Sequence, residues 1–408
     1  MAIKLLHTAD WHIGKRLYQH ELHEDHRLFF DELFSIVQKE NISHVLISGD
    51  VFDQANPSNE ALDVYFGFIE KFIALNCVLI ITGGNHDSPG VLNAPKALLK
   101  RLRVHVIGSA TENPEEELIP LKNEKGKIEA VLAAVPYLRD RDLRKATEGI
   151  SYEDRIQGIR EGIKQHYHQL AKLAEEKYPG IPHMACGHLY AQGATVSESE
   201  REIQIGNQAG IDEHTFPESF AYVALGHIHK AQRVGKSERI LYSGSPIALS
   251  FSEKNYHKRV VVVDIENTTT TIREIPLNTH RDLFVLEGNM QEVRNALAEL
   301  TSNKTLLPFI EIRVIEPHFE PELIRELDLL CDAFTEAKKG FVLQKQIRFT
   351  ASENNEKENS IRHKTLDEIS PLSVLESLTR EYPEADRTML QEALQTLLHD
   401  MQENGGLS

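Results

Sequence analysis

The sequence predicts a layered α/β fold, followed by a small second α/β unit and a closing pair of helices. Three observations point there. Short apolar runs alternate with helix-period segments over roughly the first 275 residues. Most early runs end in a short polar cluster with glycine beside aspartate, asparagine or histidine. A strand–helix–strand–helix–strand pattern then runs to about Thr350.

The strand candidates of the first region are Ile3–Leu6, Val45–Ile47, Val78–Ile81, Val131–Val135, Tyr222–Leu225, Leu241–Tyr242 and Val260–Ile265. The early ones are apolar throughout and rich in branched residues, as strands buried on both faces should be. Between them, Leu28, Phe29, Leu33, Ile36 and Val37 form one helical stripe, and Leu62, Tyr65, Phe66, Ile69 and Ile73 a second. A longer, more polar helix is predicted from Tyr152 to about Tyr178. The boundaries follow as a domain over 1–275 and a second over 281–350. The second contains strands Leu283–Leu286, Phe309–Ile315 and Phe341–Phe349, with helices Met290–Leu300 and Pro321–Phe334. Residues 351–363 are polar, lack apolar anchors and read as a linker. Residues 364–405 carry two helix patterns. One includes Leu372, Leu375 and Leu378; the other includes Leu390, Leu394, Leu397 and Met401, with Asp386 as its N-cap. So small a pair cannot bury its apolar faces alone and should dock on something.

A chain of 408 residues exceeds what one hydrophobic core usually supports. The net charge of −17 argues against coating nucleic acid by bulk electrostatics, but bound divalent cations would invert the field locally. No run is long enough to span a bilayer, and the first residues lack a signal-peptide pattern. Cys77, Cys186 and Cys331 are too few and scattered for a disulfide framework, so a reducing cytoplasm is expected.

The polar clusters are Asp10-Trp11-His12, Gly49-Asp50, Gly84-Asn85-His86-Asp87, Gly187-His188 and Gly226-His227-Ile228-His229. In open α/β sheets, ligands bind beyond the carboxyl ends of strands, where these clusters fall. Asp10 and His12, two apart, would point to one side in extended backbone. Gly49 permits a tight turn that brings Asp50 close to a cation. One donor each from Asp10, His12, Asp50, Asn85, His188, His227 and His229 is too many for a tetrahedral zinc. Such a set suits two metals sharing a bridging carboxylate, and its oxygen–imidazole mixture favours manganese, iron or zinc over magnesium or calcium. That chemistry cleaves phosphoesters. His7 reads as packed rather than ligating, and His20, His23, His26, His166 and His168 as ordinary helix or loop residues. Gly235-Lys236-Ser237 lacks the upstream glycine of a phosphate-binding loop, so no nucleotide site is expected in this chain.

These clusters, with His7-Thr8-Ala9, Gly49-Asp50-Val51-Phe52-Asp53, Pro136-Tyr137-Leu138-Arg139 and Tyr242-Ser243-Gly244-Ser245-Pro246, resemble the calcineurin-like metallophosphoesterases. More narrowly they resemble the SbcD-type branch of the double-strand-break repair nucleases. The resemblance implies a metallophosphoesterase sandwich, a capping domain and a tail that docks on an SbcC-type coiled-coil ATPase. It implies one metal on Asp10, His12, Asp50 and His229, and a second on Asp50, Asn85, His188 and His227, usually manganese. His86 would then act on the substrate as a general acid, with Asp87 orienting it. The implied activity is ATP-dependent double-strand exonuclease and single-strand or hairpin endonuclease action on DNA, in repair, recombination and replication. The implied assembly is two nuclease and two ATPase subunits, with a nuclease homodimer. Lys15, Arg16, Arg139 and Arg141 are candidate phosphate contacts, as are Arg144 and Lys145.

Two other readings stay open on these residues. The same core serves phosphatases and small-molecule phosphodiesterases, although Asp53-Gln54-Ala55 departs from the phosphatase pattern. A DNA-end tether with a vestigial centre is the third. The role of Asp53, a histidine in archaeal and eukaryotic relatives, is left open.

Overall fold

The computed structural model describes residues 3–143, 151–203, 209–318, 321–350, 371–379 and 382–403. Arg144, Lys145 and the linker of 351–363 lie outside the described residues. The chain divides into two compact units. The first comprises residues 1–15, 21–278 and 402–408; the second comprises residues 16–20 and 279–401.

Two six-stranded sheets build the first unit. One runs, edge to edge, Thr269–Pro276, Arg259–Glu266, Ile3–Thr8, His44–Ser48, Val78–Thr82 and Val104–Ile107. Its last four strands are mutually parallel. The other runs Gln232–Arg233, Ile240–Tyr242, Phe220–Gly226, His183–His188, Ile128–Ala134 and Leu118–Lys122, with its four middle strands parallel.

Side chains that alternate along a strand feed opposite layers. In the first sheet Leu5, Leu46 and Ile80 point between the sheets, where they meet Leu132, Met184, Tyr222 and Ala224. Their neighbours Leu6, Val45, Ile47, Leu79 and Ile81 face the helices His23–Glu40 and Asn59–Ala74 through Phe29, Leu33, Phe68 and Phe72. In the second sheet Val131, Ala185, Val223 and Leu225 face the helix Tyr152–Lys177 through Ile156, Ile159, Ile163 and Leu170. The result is helix, sheet, sheet, helix. Each fully buried branched or aromatic side chain contributes about 1.5–3 kcal/mol of burial.

Local sequence chemistry sets the helix ends. Ser58 and Ser151 cap the second and third of these helices by accepting from Ala61 and Asp154 amides. The stripe of Asn59–Ala74 is rotated from the expectation: Tyr65, Phe68, Ile69 and Phe72 are buried, whereas Phe66 is exposed. Phe68 and Phe72 lie three and seven residues from Tyr65 and so share its face; Phe66 lies about 100° around the helix.

The second unit contains a parallel three-stranded sheet, Leu283–Gly288, Phe309–Glu316 and Phe341–Phe349. Helices Met290–Glu299 and Pro321–Glu336 pack on it through Met290, Val293, Leu297, Leu327, Cys331 and Phe334. An Asn289–Glu292 capping box starts the first of them. Helices Pro371–Leu378 and Glu384–Glu403 follow. Asp386 is not the N-cap of the latter. The Pro383 carbonyl accepts from the Asp386 and Arg387 amides, so the helix starts directly after the proline and Asp386 lies in its first turn. No described helix is long and apolar enough to cross a membrane.

Candidate metal centre

Five strands deliver the clusters to one place. Asp10 and His12 follow Ile3–Thr8, Asp50 follows His44–Ser48, and Asn85 and His86 follow Val78–Thr82. His188 ends the strand His183–His188, and His227 and His229 follow Phe220–Gly226. Both sheets therefore contribute through the carboxyl ends of parallel strands.

The loops are fixed from behind. Trp11 points away into the helix layer, its ring centre 4.5 Å from that of Phe68, with its indole N–H on Thr8 Oγ1 at 3.0 Å. The Asp10 and His12 amides donate to the Gly49 and Asp50 carbonyls. These bonds turn the chain, so Asp10 and His12 are not extended; their φ angles are 54° and 47°. Asp50 at 46° and His227 at 96° are left-handed too. Four of the seven candidate ligands thus hold backbone strain, of order 1–3 kcal/mol each. Two glycines permit the approach. Gly49 has φ 84°, and a Cβ there would enter the His188 ring; a Cβ at Gly84 would enter the Asp50 carboxylate.

Three overlapping groups of donor atoms each lie within 4.8 Å: Asp10–His12–His229, His12–Asp50–His86 and Asp50–His188–His227. All of these residues are buried. Asn85 joins the last group, its Oδ1 2.9 Å from His188 Nε2. Asp50 Oδ2 lies between, 3.5 Å from His12 Nε2 and 3.3 Å from His188 Nε2.

The proton positions on the rings test whether cations fit. His12 Nδ1 lies 3.2 Å from Asp53 Oδ1, and His229 Nδ1 lies 3.0 Å from Glu253 Oε1. His188 Nδ1 lies 3.1 Å from the Ser48 carbonyl. In the neutral ring these acceptors hold the proton on Nδ1 of His229 and His188, the Asp53 carboxylate favours the same at His12, and each Nε2 turns inward. The His12 and His229 Nε2 atoms then face each other at 3.2 Å, and His188 Nε2 faces two oxygens. Asp10 Oδ2 and His227 Nε2 are buried without a hydrogen-bond partner. Ring nitrogens and carboxylate oxygens turned on one another are the arrangement that a cation stabilises, and the donor set fits two.

In the metal-free chain protons take the place of cations at two of the rings, because, against the lowering effect of burial, neighbouring carboxylates raise His188 and His229 above their ordinary value. Burial pushes Asp10 up to about 6, against the lowering pull of His188 and His229. Burial acts on Asp50 likewise, but His188, His86 and His12 outweigh it and hold its carboxyl well below the ordinary range. Burial would lower His188, yet Asp50 and Asp10 raise it to about 9. Burial and the neighbouring His188 draw His227 well below its ordinary value.

His86 and Asp87 do not form the pair expected of them. The Asp87 carboxylate accepts the Val51, Phe52 and Gly84 amides at 3.1, 3.0 and 2.8 Å, which braces the loops carrying Asp50 and Asn85. The His86 ring is oriented instead by the Asp53 main-chain carbonyl, 2.7 Å from Nδ1, while its amide donates to Asp50 Oδ1. Three backbone amides already fill the carboxylate that sequence proximity assigned to the ring. Burial draws His86 down to about 3, so the ring is neutral in the free chain.

Of the cationic candidates, Lys15 Nζ lies 3.2 Å from Asp53 Oδ1, beside the centre. Arg139 and Arg141 flank the start of the short helix Asp140–Leu143. The segment leading to it is held against the Asn85 loop by the Tyr137 amide on the Gly83 carbonyl, at 2.8 Å. Arg16 is exposed on the strand Arg16–Leu17, which groups with the second unit. His7 is packed between the sheets, 2.7 Å from the Tyr222 hydroxyl, and takes no part in the centre. Glu253, with Ser199 and Glu200 also on His229 and Lys258 on Glu253 itself, was not legible in the sequence; these residues follow no spacing rule relative to His229.

Residues 3–231 match the calcineurin-like phosphoesterase family. Residues 279–382 match the family described as type 5 capsule protein repressor C-terminal domain. The chain is 28% identical to SbcD of the SbcCD nuclease of Escherichia coli over 98% of each chain. It is 34% identical to SbcD of Rhodobacter capsulatus, across 67% of this chain and 69% of the relative. Against SbcD of Bacillus subtilis it is 30% identical, across 77% of this chain and 80% of the relative. On fold, centre and relatives together, the chain belongs to the calcineurin-like phosphoesterases and, within them, to the SbcD family of SbcCD nucleases.

Proposed function

We propose that this chain is a two-metal DNA nuclease, the hydrolytic component of an SbcCD-type complex. The single observation that carries the chemistry is the inward convergence of imidazole lone pairs and carboxylate oxygens around Asp50. Asp10, His12, Asp50 and His229 would hold one cation and Asp50, Asn85, His188 and His227 the other, with manganese as the metal. When bound, the pair supplies an activated water and positive charge for the phosphoryl oxygens.

The remaining work falls to the side chains. Asp50 lies between the two donor groups and would be shared by both cations, its backbone fixed by the strained turn after Gly49. His86 contacts the substrate. Its Nδ1 is committed to the Asp53 carbonyl, which leaves Nε2 to hold the proton for the leaving oxygen. Burial disfavours that proton in the free chain, and an arriving anionic phosphodiester favours it. Asp87 keeps the Asp50 and Asn85 loops at fixed separation. Lys15, Arg16, Arg139 and Arg141 meet backbone phosphates, so cleavage is blind to sequence.

The substrate class rests on the family and on the second unit and tail that accompany the centre. The tail supports an SbcC-type ATPase partner: Leu378, Met389 and Leu397 are exposed on its helices at 73%, 62% and 56%. A nuclease homodimer within a two-plus-two assembly follows from the same reading, as does a cytoplasmic location. The test is one assay on linear duplex, hairpin and aryl phosphodiester substrates, with manganese, with and without the ATPase. Manganese-dependent cutting of all three, with duplex degradation requiring ATPase and ATP, supports the reading. Cleavage of the aryl ester alone makes the chain a small-molecule phosphodiesterase. Binding without cleavage makes it a tether.

A further inference from the structure

The two halves of the centre are backed by different groups. On one side both rings lean on carboxylates, His12 on Asp53 at 3.2 Å and His229 on Glu253 at 3.0 Å. On the other, His188 leans on the neutral Ser48 carbonyl at 3.1 Å.

Glu253 is a built feature. It sits in the short turn Phe251–Glu253, with its side chain fully buried. Oε2 takes Lys258 Nζ at 2.6 Å, the Ser245 hydroxyl at 3.1 Å and the Leu249 amide at 3.3 Å. Oε1 takes the Ser199 hydroxyl at 2.6 Å and a longer contact from the Ser197 hydroxyl at 3.4 Å. Lys258 thus neutralises the far oxygen and leaves Oε1 on the histidine. Ser199 also touches His229 Nδ1 at 2.7 Å, and Glu200 accepts the His229 amide at 2.9 Å. A buried carboxylate with this many donors is costly to assemble unless its geometry is used.

A carboxylate on the outer nitrogen fixes an imidazole's tautomer and makes it a stronger ligand; losing such a partner typically weakens metal affinity about 10–100-fold. The inner donors lean the same way. One position has Asp10 beside the shared Asp50, whereas the other has the neutral Asn85.

We propose that Glu253 is a positioning residue for His229, and that with Asp53 it makes the two metal positions unequal. The position of Asp10, His12 and His229 fills first and binds more tightly than that of Asn85, His188 and His227. This rests on the two-metal reading above.

The test is a manganese chloride titration of the metal-stripped full-length chain, by calorimetry and by the spin-resonance signal of free manganese. The wild type is expected to show two binding events with separate affinities. Glu253→Gln, paired with Lys258→Met so that no buried cation is stranded, is expected to weaken the tight event about 10–100-fold and leave the weak one in place. Asp53→Asn should act on the same event, which keeps the test alive should the double variant not fold. Asn85→Ala should abolish the weak event alone. Equal affinities in the wild type overturn the inference. So do loss of the tight event in Asn85→Ala, or tight binding unchanged in both outer-partner variants. Failure to bind two manganese ions at all overturns the two-metal reading instead.

Discussion

The Nε2 atoms of His12 and His229, 217 residues apart in the chain, face each other across 3.2 Å in a buried centre. Asp53 and Glu253 stand beside the outer nitrogens of the two rings, which turns both Nε2 atoms toward the same point. A cation between the rings relieves this opposition, which is why the contact points so directly to metal binding.

His86→Asn separates ligand from proton donor. Both metals should be retained, with kcat reduced about 10²–10⁴-fold, the range for loss of a general acid. Metal content by atomic emission, measured on the same preparation as the rate, decides it. Metal and rate falling together would make His86 a ligand, as its place in the His12–Asp50 group allows.

Asp87→Ala should act on structure first. It strands the Val51, Phe52 and Gly84 amides in the interior. Each unsatisfied donor costs about 1–3 kcal/mol, so a large fall in melting temperature should accompany lost activity. An inactive Asp87→Ala protein with wild-type melting would instead place Asp87 in the chemistry.

Stability should fall on mild acidification through buried neutral histidines. Burial draws His44 down to about 3, and His7 likewise. The unfolded chain takes up these protons near pH 6.5, while the folded chain resists until about pH 3. The stability is therefore complete above pH 6.5 and is lost progressively between these values, at up to about 1.4 kcal/mol per pH unit per group. Urea unfolding between pH 7 and pH 4.5 should show His44→Gln with a shallower slope than the wild type. Identical slopes would contradict the assignment.

Deleting the chain after Ser360 removes both tail helices and their exposed Leu378, Met389 and Leu397. Copurification with the ATPase is expected to disappear while manganese-dependent cleavage of an aryl phosphodiester persists. A complex that survives the deletion would contradict the docking role.

Much of this architecture was legible because buried strands and ligand clusters leave local marks. Leu5-Leu6 and Val45-Leu46-Ile47 are apolar on both faces, and glycine-flanked aspartate and histidine follow them. The second sheet was not legible as such, since a run buried between two sheets reads like one buried beneath helices. Val104–Ile107, Leu118–Lys122, His183–His188 and Thr269–Pro276 were missed as strands. The first two are short and broken by His105 and Pro120, the third begins and ends in histidine, and the last, three threonines and an Arg-Glu pair with only two isoleucines, lies at a sheet edge. The extended geometry expected of Asp10 and His12 failed because backbone bonds to Gly49 and Asp50 turn that segment, and those partners lie on another strand's loop. Glu253 escaped for the same reason: its partner His229 lies on another element.

Anomalous diffraction at the manganese edge, from crystals of the full-length chain grown with manganese, tests the two-metal centre most directly. Two peaks are expected flanking the Asp50 carboxylate, about 3.5–4 Å apart, one against His12 and His229 and the other against His188 and His227. A single peak, or peaks that avoid Asp50, would contradict it.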